Sequence, residues 1–165
     1  MLRRLSLLAG LVLLVSLSAQ AQDHSEFFGG YSYMRVDNSP SFNLNGWELA
    51  AQYKFAPWFG VAADFDGHYG SPFGPSTSIH TFLVGPQVSW PGRVSPFAHV
   101  LVGGGHASVA GVGDTSFATA IGGGIDTRLV QSVYWRVIEG DYLPTHFFGT
   151  TQNNVRVSTG IVFKF

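Results

Sequence analysis

The chain has 165 residues, with nine Lys or Arg against ten Asp or Glu, 15% aromatics, 21 glycines and no cysteine. That balance argues against nucleic-acid binding, which needs a basic face. The missing cysteine excludes disulfides, thiolate metal ligands and a thiol nucleophile, and the length suffices for one domain.

Arg3 and Arg4 precede an almost unbroken apolar stretch at residues 5–17, followed by Ala19-Gln20-Ala21. A basic start, an apolar middle and an A-x-A site make a secretory signal peptide, with Ala19 and Ala21 setting the cleavage. Residues 1–21 are therefore expected to be removed, leaving a single domain at 22–165. Loss of Arg3 and Arg4 leaves seven basic against ten acidic residues, a net charge of −3. The apolar stretch is too short for a transmembrane helix, which takes about 20 residues. No later segment approaches that length, so any membrane crossing must use strands.

Eight strands are predicted, at 26–36, 44–55, 59–69, 77–90, 96–107, 115–127, 132–143 and 153–165. Each is about the 9–11 residues that a tilted membrane strand needs. Short connections (56–57, 90–93, 128–131) alternate with longer ones rich in Gly, Pro, Ser, Thr and Asn (37–43, 70–76, 108–114, 144–152). The pattern is that of an all-β, eight-stranded antiparallel up-and-down transmembrane β-barrel, with tight periplasmic turns and larger extracellular loops.

The period of two assigns the faces. In strand two, Trp47, Leu49, Ala51, Tyr53 and Phe55 point out while Glu48, Ala50, Gln52 and Lys54 point in. In strand three, Val61 and Phe65 face out, and Asp64, Asp66 and His68 face in. In strand six, Phe117, Ile121 and Ile125 oppose Gly122, Gly124 and Asp126. Strand seven sets Val133, Trp135 and Val137 against Arg136, then slips near Ile138, where a β-bulge would keep Glu139 and Asp141 inside. The phases of strands one, four and five stay open. The predicted interior thus holds Glu48, Lys54, Asp64, Asp66, Asp126, Arg136, Glu139, Asp141, Arg156 and Lys164, charges of both signs able to form one polar network. A soluble lipocalin-like barrel would invert this arrangement. An ordinary soluble sandwich would have no use for the export signal and the alternating loops. Aromatics gather at both strand ends, as two interfacial girdles would require.

The last strand alternates Val155, Val157, Thr159, Ile161, Phe163 and Phe165 on one face, and ends on an aromatic. An apolar edge of this kind is a liability in water and suits lipid. Phe163 and Phe165 are expected to be the assembly signal. Gly29-Gly30-Tyr31-Ser32-Tyr33, Gly85-Pro86, Gly122-Gly123-Gly124-Ile125-Asp126, Arg136 with Asp141-Tyr142, and the run from Gln152 into Gly160-Ile161-Val162-Phe163-Lys164-Phe165 together resemble the small outer-membrane β-barrel domain family, the OmpA/OmpX-type barrels. That resemblance implies an eight-stranded barrel in the Gram-negative outer membrane. It implies little about activity, because the family is functionally diverse.

Eight strands leave an interior that side chains can fill, so a plugged, monomeric, non-enzymatic barrel with a structural or surface-interaction role is expected. Its partners would be outer-membrane lipid, lipopolysaccharide and the barrel-assembly machinery, with no nucleic acid, no cofactor and no metal. A narrow porin-like channel is the alternative. A lipid-modifying enzyme is a more distant one, resting on His106-Ala107-Ser108 with Asp114 six residues on and no other orienting acid near in sequence. The histidines at 68, 80, 99, 106 and 146 show no dedicated ligand spacing. The aromatic stretches 71–75 and 144–149 would either meet a surface partner or pack together to close the barrel mouth.

Overall fold

The computed structural model describes residues 24–165, so the expected signal peptide and its cleavage site at Ala19 and Ala21 lie outside the described residues. Eight strands run in chain order: β1 (Ser25–Val36), β2 (Phe42–Ala56), β3 (Phe59–Gly70), β4 (Thr77–Ser89), β5 (Val94–Val109), β6 (Val112–Val130), β7 (Val133–Phe147) and β8 (Thr150–Lys164). Every strand pairs antiparallel with its sequence neighbour, and β8 pairs with β1 to close the ring. The closing ladder ends where Phe165 N donates to Ser25 O at 2.8 Å and Ser25 N donates to Phe165 O at 3.1 Å. Closure satisfies every strand edge internally, which is the condition for crossing a bilayer with strands.

Two of the expected loops are absent. Residues 108–114 and 144–152 are largely strand, and β5–β6 and β7–β8 turn through only Ala110-Gly111 and Phe148-Gly149. All four of these residues have positive φ: 52° and 85° in the first turn, 52° and 72° in the second. This is the two-residue hairpin geometry that follows the strand twist. Glycine at the second position meets the requirement, whereas Ala110 and Phe148 adopt it against their Cβ. Composition misled here because Gly, Ser and Thr can extend a hairpin as readily as fill a loop. The longer connections that remain on this side are residues 37–41 and 71–76.

The slip in strand seven is present. Arg136 is paired with Gly160 and Glu139 with Ser158, so Val137 and Ile138 together face Thr159. Both lie on the outside, with relative exposures of 38% and 51%. Two residues against one define a bulge. Its consequence reaches beyond the local kink, because Arg136 and Glu139 now both face inward, and so do Asp141, Leu143, Thr145 and Phe147.

The phases left open also resolve. β1 sends Glu26, Phe28, Ser32, Met34 and Val36 inward; β4 sends Ile79, Thr81, Leu83 and Gln87; β5 sends Ser95, Phe97, His99, Leu101 and Ala107. The outside is an apolar band with aromatic rims. Phe55, Trp58 and Trp90 stand exposed at the turn end, and Tyr31, Phe65, Tyr69 and Tyr142 toward the loop end. The loop-side phenols are anchored, Tyr31 donating to Asn45 Oδ1 and Tyr142 to Asn153 Oδ1.

The charges fill only part of the interior. Met34, Val36, Leu44, Ile79, Leu143 and Phe147 form an apolar core across its loop-side part. Phe42 packs against this core and stacks edge-on with Phe73 at 5.6 Å. Of the aromatic stretches, Phe147 is therefore buried and Phe73 leans over the mouth, while Phe148 stays exposed at its hairpin tip. A ring this narrow is a packed core, and where no charge has to be satisfied, apolar side chains fill it at least cost.

Candidate functional site

The most elaborate chemistry in the molecule lies on the barrel axis, below the apolar layer. Arg156 projects from β8 and is completely buried. Its Nη1 donates to Asp64 Oδ1 at 2.8 Å and Asp66 Oδ2 at 2.5 Å. Its Nε and Nη2 donate to Asp141 Oδ2 at 2.9 and 2.6 Å. Glu48 Oε2 stands 3.5 Å from Nε. β3 and β7 are opposite walls of the eight-membered ring, so a single guanidinium ties the two walls together. Arginine suits this position because its planar fork offers five donors.

Arg136 forms the second node. It donates from Nε to Asp126 Oδ1 at 2.9 Å and from Nη1 to Glu139 Oε2 at 2.8 Å. Its guanidinium carbon lies 4.3 Å from the Phe28 ring centroid and 4.2 Å from that of Phe97. Those rings come from opposite walls, β1 and β5, so the cation is clamped between two π faces. Gly124 makes room for this, since a methyl there would come 2.9 Å from Phe97 Cζ. Nearer the turn end, Glu26 Oε1 pairs with Lys54 and with Lys164 at 3.2 Å, and Lys164 reaches Asp126 at 3.3 Å.

All ten charged residues predicted to face inward do so, and all but Lys164, which is slightly more accessible, are buried. The sequence reading missed Glu26 and His99, on strands whose phase it left open. A neutral layer joins these charges, with His68 where the alternation of strand three places it and Ser32 and Thr81 on strands whose phase was open. Ser158 Oγ donates to Glu48 Oε2 at 2.5 Å, His68 Nε2 meets Ser32 Oγ at 2.9 Å, and Thr81 Oγ1 donates to Asp66 Oδ2 at 2.7 Å. Among the described residues the lumen holds seven carboxylates (Glu26, Glu48, Asp64, Asp66, Asp126, Glu139, Asp141) against four Lys or Arg.

His99 lies between two of these acids. Its Nε2 is 2.8 Å from Asp141 Oδ1 and its Nδ1 is 3.7 Å from Glu139 Oε1. β6 separates β5 from β7, and across it His99 aligns with Gly122, Gly122 with Asp141, and Gly124 with Glu139. The imidazole thus reaches both acids over a floor made of glycine. A Cβ at Gly122 would collide with Asp141 Oδ1.

The outward histidines behave differently. His106 Nδ1 meets Thr115 Oγ1 at 2.8 Å, and His80 Nε2 meets the Tyr69 hydroxyl at 2.8 Å. Asp114 accepts from its neighbour Thr115 N and from the backbone N of Phe148. Asp114 stands across from Ala107, yet both of its oxygens are engaged by these backbone amides and not by His106 or Ser108.

Phe163 is half exposed on the outward side of β8. Phe165 stacks on it at 6.5 Å and meets Phe27 edge-on at 6.3 Å, giving a three-ring patch at the turn end of the closing seam.

No family model matches the chain, and no curated protein matches it either. Solved structures do. Neisserial surface protein A (NspA) is 15% identical, with a TM-score of 0.68 over 86% of this chain and 97% of its own. Ail, the attachment invasion locus protein of Yersinia pestis, is 18% identical, with a TM-score of 0.64 over 88% of this chain and 100% of its own. The N-terminal β-barrel domain of Pseudomonas aeruginosa OprF is 12% identical, with a TM-score of 0.53 over 88% and 100%. The fold is thus the closed eight-stranded barrel of small outer-membrane proteins.

Proposed function

We propose that the protein is an integral outer-membrane barrel, exported by its signal peptide. In this reading its lumen is plugged by side chains, it works as a monomer without enzymatic activity, and its role is structural or surface-interacting. The carrying observation is Arg156, fully buried and bonded to acids from β3 and β7. An ion path along the axis would have to break that crosslink, and separating a buried pair costs about 3–5 kcal/mol. Refolded protein in planar bilayers is expected to give no stable open level. A reproducible open level from the unaltered protein would overturn the plug and favour the narrow channel.

Phe163 and Phe165 fit a role as the assembly signal read by the barrel-assembly machinery, since their rings are presented together beside the closing seam. Deleting Phe165 should lower the yield of folded barrel in cells while refolding into detergent in vitro persists. Equal cellular yield would refute that role.

Surface interaction is the finer part of the reading, with lipopolysaccharide and extracellular partners both within reach of the loop end. Ail has been crystallised with the heparin analogue sucrose octasulfate. A polysulfated ligand calls for a basic loop end, and in this chain the Lys, Arg, Asp and Glu near that end are Arg35, Asp37 and Asp114. This chemistry favours a neutral or apolar surface contact, and the exposed Phe148 hairpin tip is its best-placed element.

A further inference from the structure

We infer that the barrel interior is built to hold one first-row divalent cation of the zinc class, on His99, Glu139 and Asp141. One ligand atom from each of the three lies within 4.8 Å of the others, and all three residues are buried. An imidazole with two carboxylates is a donor set that zinc accepts, at about 2.0–2.2 Å per ligand. Asp141 faces Nε2 and Glu139 faces Nδ1, so an ion held on Nε2 would draw the Glu139 carboxylate round to that side of the ring.

Four further observations point the same way. First, the second oxygen of each acid is already fixed from behind: Glu139 Oε2 receives Arg136 at 2.8 Å, and Asp141 Oδ2 receives Arg156 at 2.6 Å. Glu139 Oε1 and Asp141 Oδ1 are thereby turned toward His99. Outer partners of this kind orient metal ligands and hold them against repulsion. Second, the floor of the cradle is Gly122 and Gly124, so no β6 side chain competes for the space. Third, Glu48 Oε1 is buried and has no hydrogen-bond partner among the described residues. Glu48 and Asp141 both approach Arg156 Nε, which puts this unpartnered oxygen in the same layer as the three ligands, where it can hold a water on the ion. Fourth, seven carboxylates face four basic side chains in the lumen. Uncompensated buried charge is costly, and a divalent ion offsets part of that surplus.

Binding requires the His99 nitrogen that faces the ion to carry no proton, so the metal replaces a proton on the ring. Because the site is sealed by the closed ring, loading belongs to folding. Sequence spacing gives no hint of the site, since its ligands meet only across β6.

The test refolds full mature protein from urea into detergent micelles with Zn²⁺ present. Free metal is then removed, and zinc per folded chain is measured by elemental analysis. About one equivalent is expected, the stoichiometry of a single closed site. H99Q and E139Q should lose it, whereas H106Q, which alters an outward histidine, should keep it. Folding of each variant is checked by heat-modifiable gel mobility. A second arm uses Co²⁺ with the unaltered protein, where visible d–d bands should appear in the folded fraction alone, and this arm stands even if a variant fails to fold. Folded, unaltered protein without retained zinc or d–d bands would overturn the site, as would H99Q retaining as much metal as the unaltered chain.

Discussion

The turn-side and loop-side parts of the lumen fill the same ring by opposite means. Toward the turns, Arg136 and Arg156 bind acids contributed by β2, β3, β6 and β7. Toward the loops, Met34, Leu44, Ile79 and Leu143 simply interdigitate. The charged part is specified by direction, because each donor must find its acceptor and a misplaced strand leaves a buried charge unpaired. The apolar part is specified by volume, and tolerates change as long as the space stays filled. One ring therefore carries a part that fixes register and a part that seals the mouth.

The sharpest way to break this division is deletion of Gly140, which stands between Glu139 and Asp141 on β7. Without it, period two cannot keep both acids inside: either Asp141 turns outward behind Glu139, or the bulge at Val137 and Ile138 is lost and Glu139 turns outward. Arg156 or Arg136 would then lose a partner. Loss of the folded, heat-modifiable species is expected; a barrel that folds normally would show that alternation does not set the phase of β7. Deletion of Val137 should be far milder, because Arg136, Glu139 and Asp141 then alternate inward without a bulge.

Arg156→Met should come next. It leaves Asp64, Asp66 and Asp141 facing one another, at a cost of about 3–5 kcal/mol. Urea unfolding in lipid vesicles measures it, and Arg156→Lys should recover only part because an ammonium cannot span both walls as a fork. Leu143→Ala probes the other part. Leu143 is fully buried, so truncation should cost about 2–5 kcal/mol by opening a cavity, in the same unfolding assay. Leu143→Met should cost under about 1.5 kcal/mol. If the two substitutions cost the same, the loop-side core is not governed by volume.

The smallest effect lies at the hairpin tip. Phe148 has φ of 52°, a conformation that asparagine accepts more readily. Phe148→Asn should stabilise the hairpin by about 1 kcal/mol, read as slower amide exchange along β7–β8. Unchanged exchange would argue that the turn is unstrained.

Much of this was legible in residue order. Strict alternation in β2, β3 and β8 put Glu48, Asp64, Asp66 and Arg156 on the correct side, because one face had to be apolar and the other could not be. The bulge showed as a break in that alternation at Ile138. His99 and Glu26 escaped because β5 and β1 interleave small, apolar and polar residues on both faces, so period two has no contrast to read. The hairpins at Ala110 and Phe148 escaped because Ser, Thr and Gly serve strand and loop alike.

The sequence by itself determined a ring of eight strands with acids and bases turned inward, since a two-residue period and a charge's aversion to lipid are local facts. Which acid meets which base, that an apolar core fills much of the loop-side interior, and that His99 comes to face Glu139 and Asp141 across two glycines were settled by the tertiary structure alone. Those outcomes depend on register between strands distant in the chain, and register is set by closing the ring as a whole.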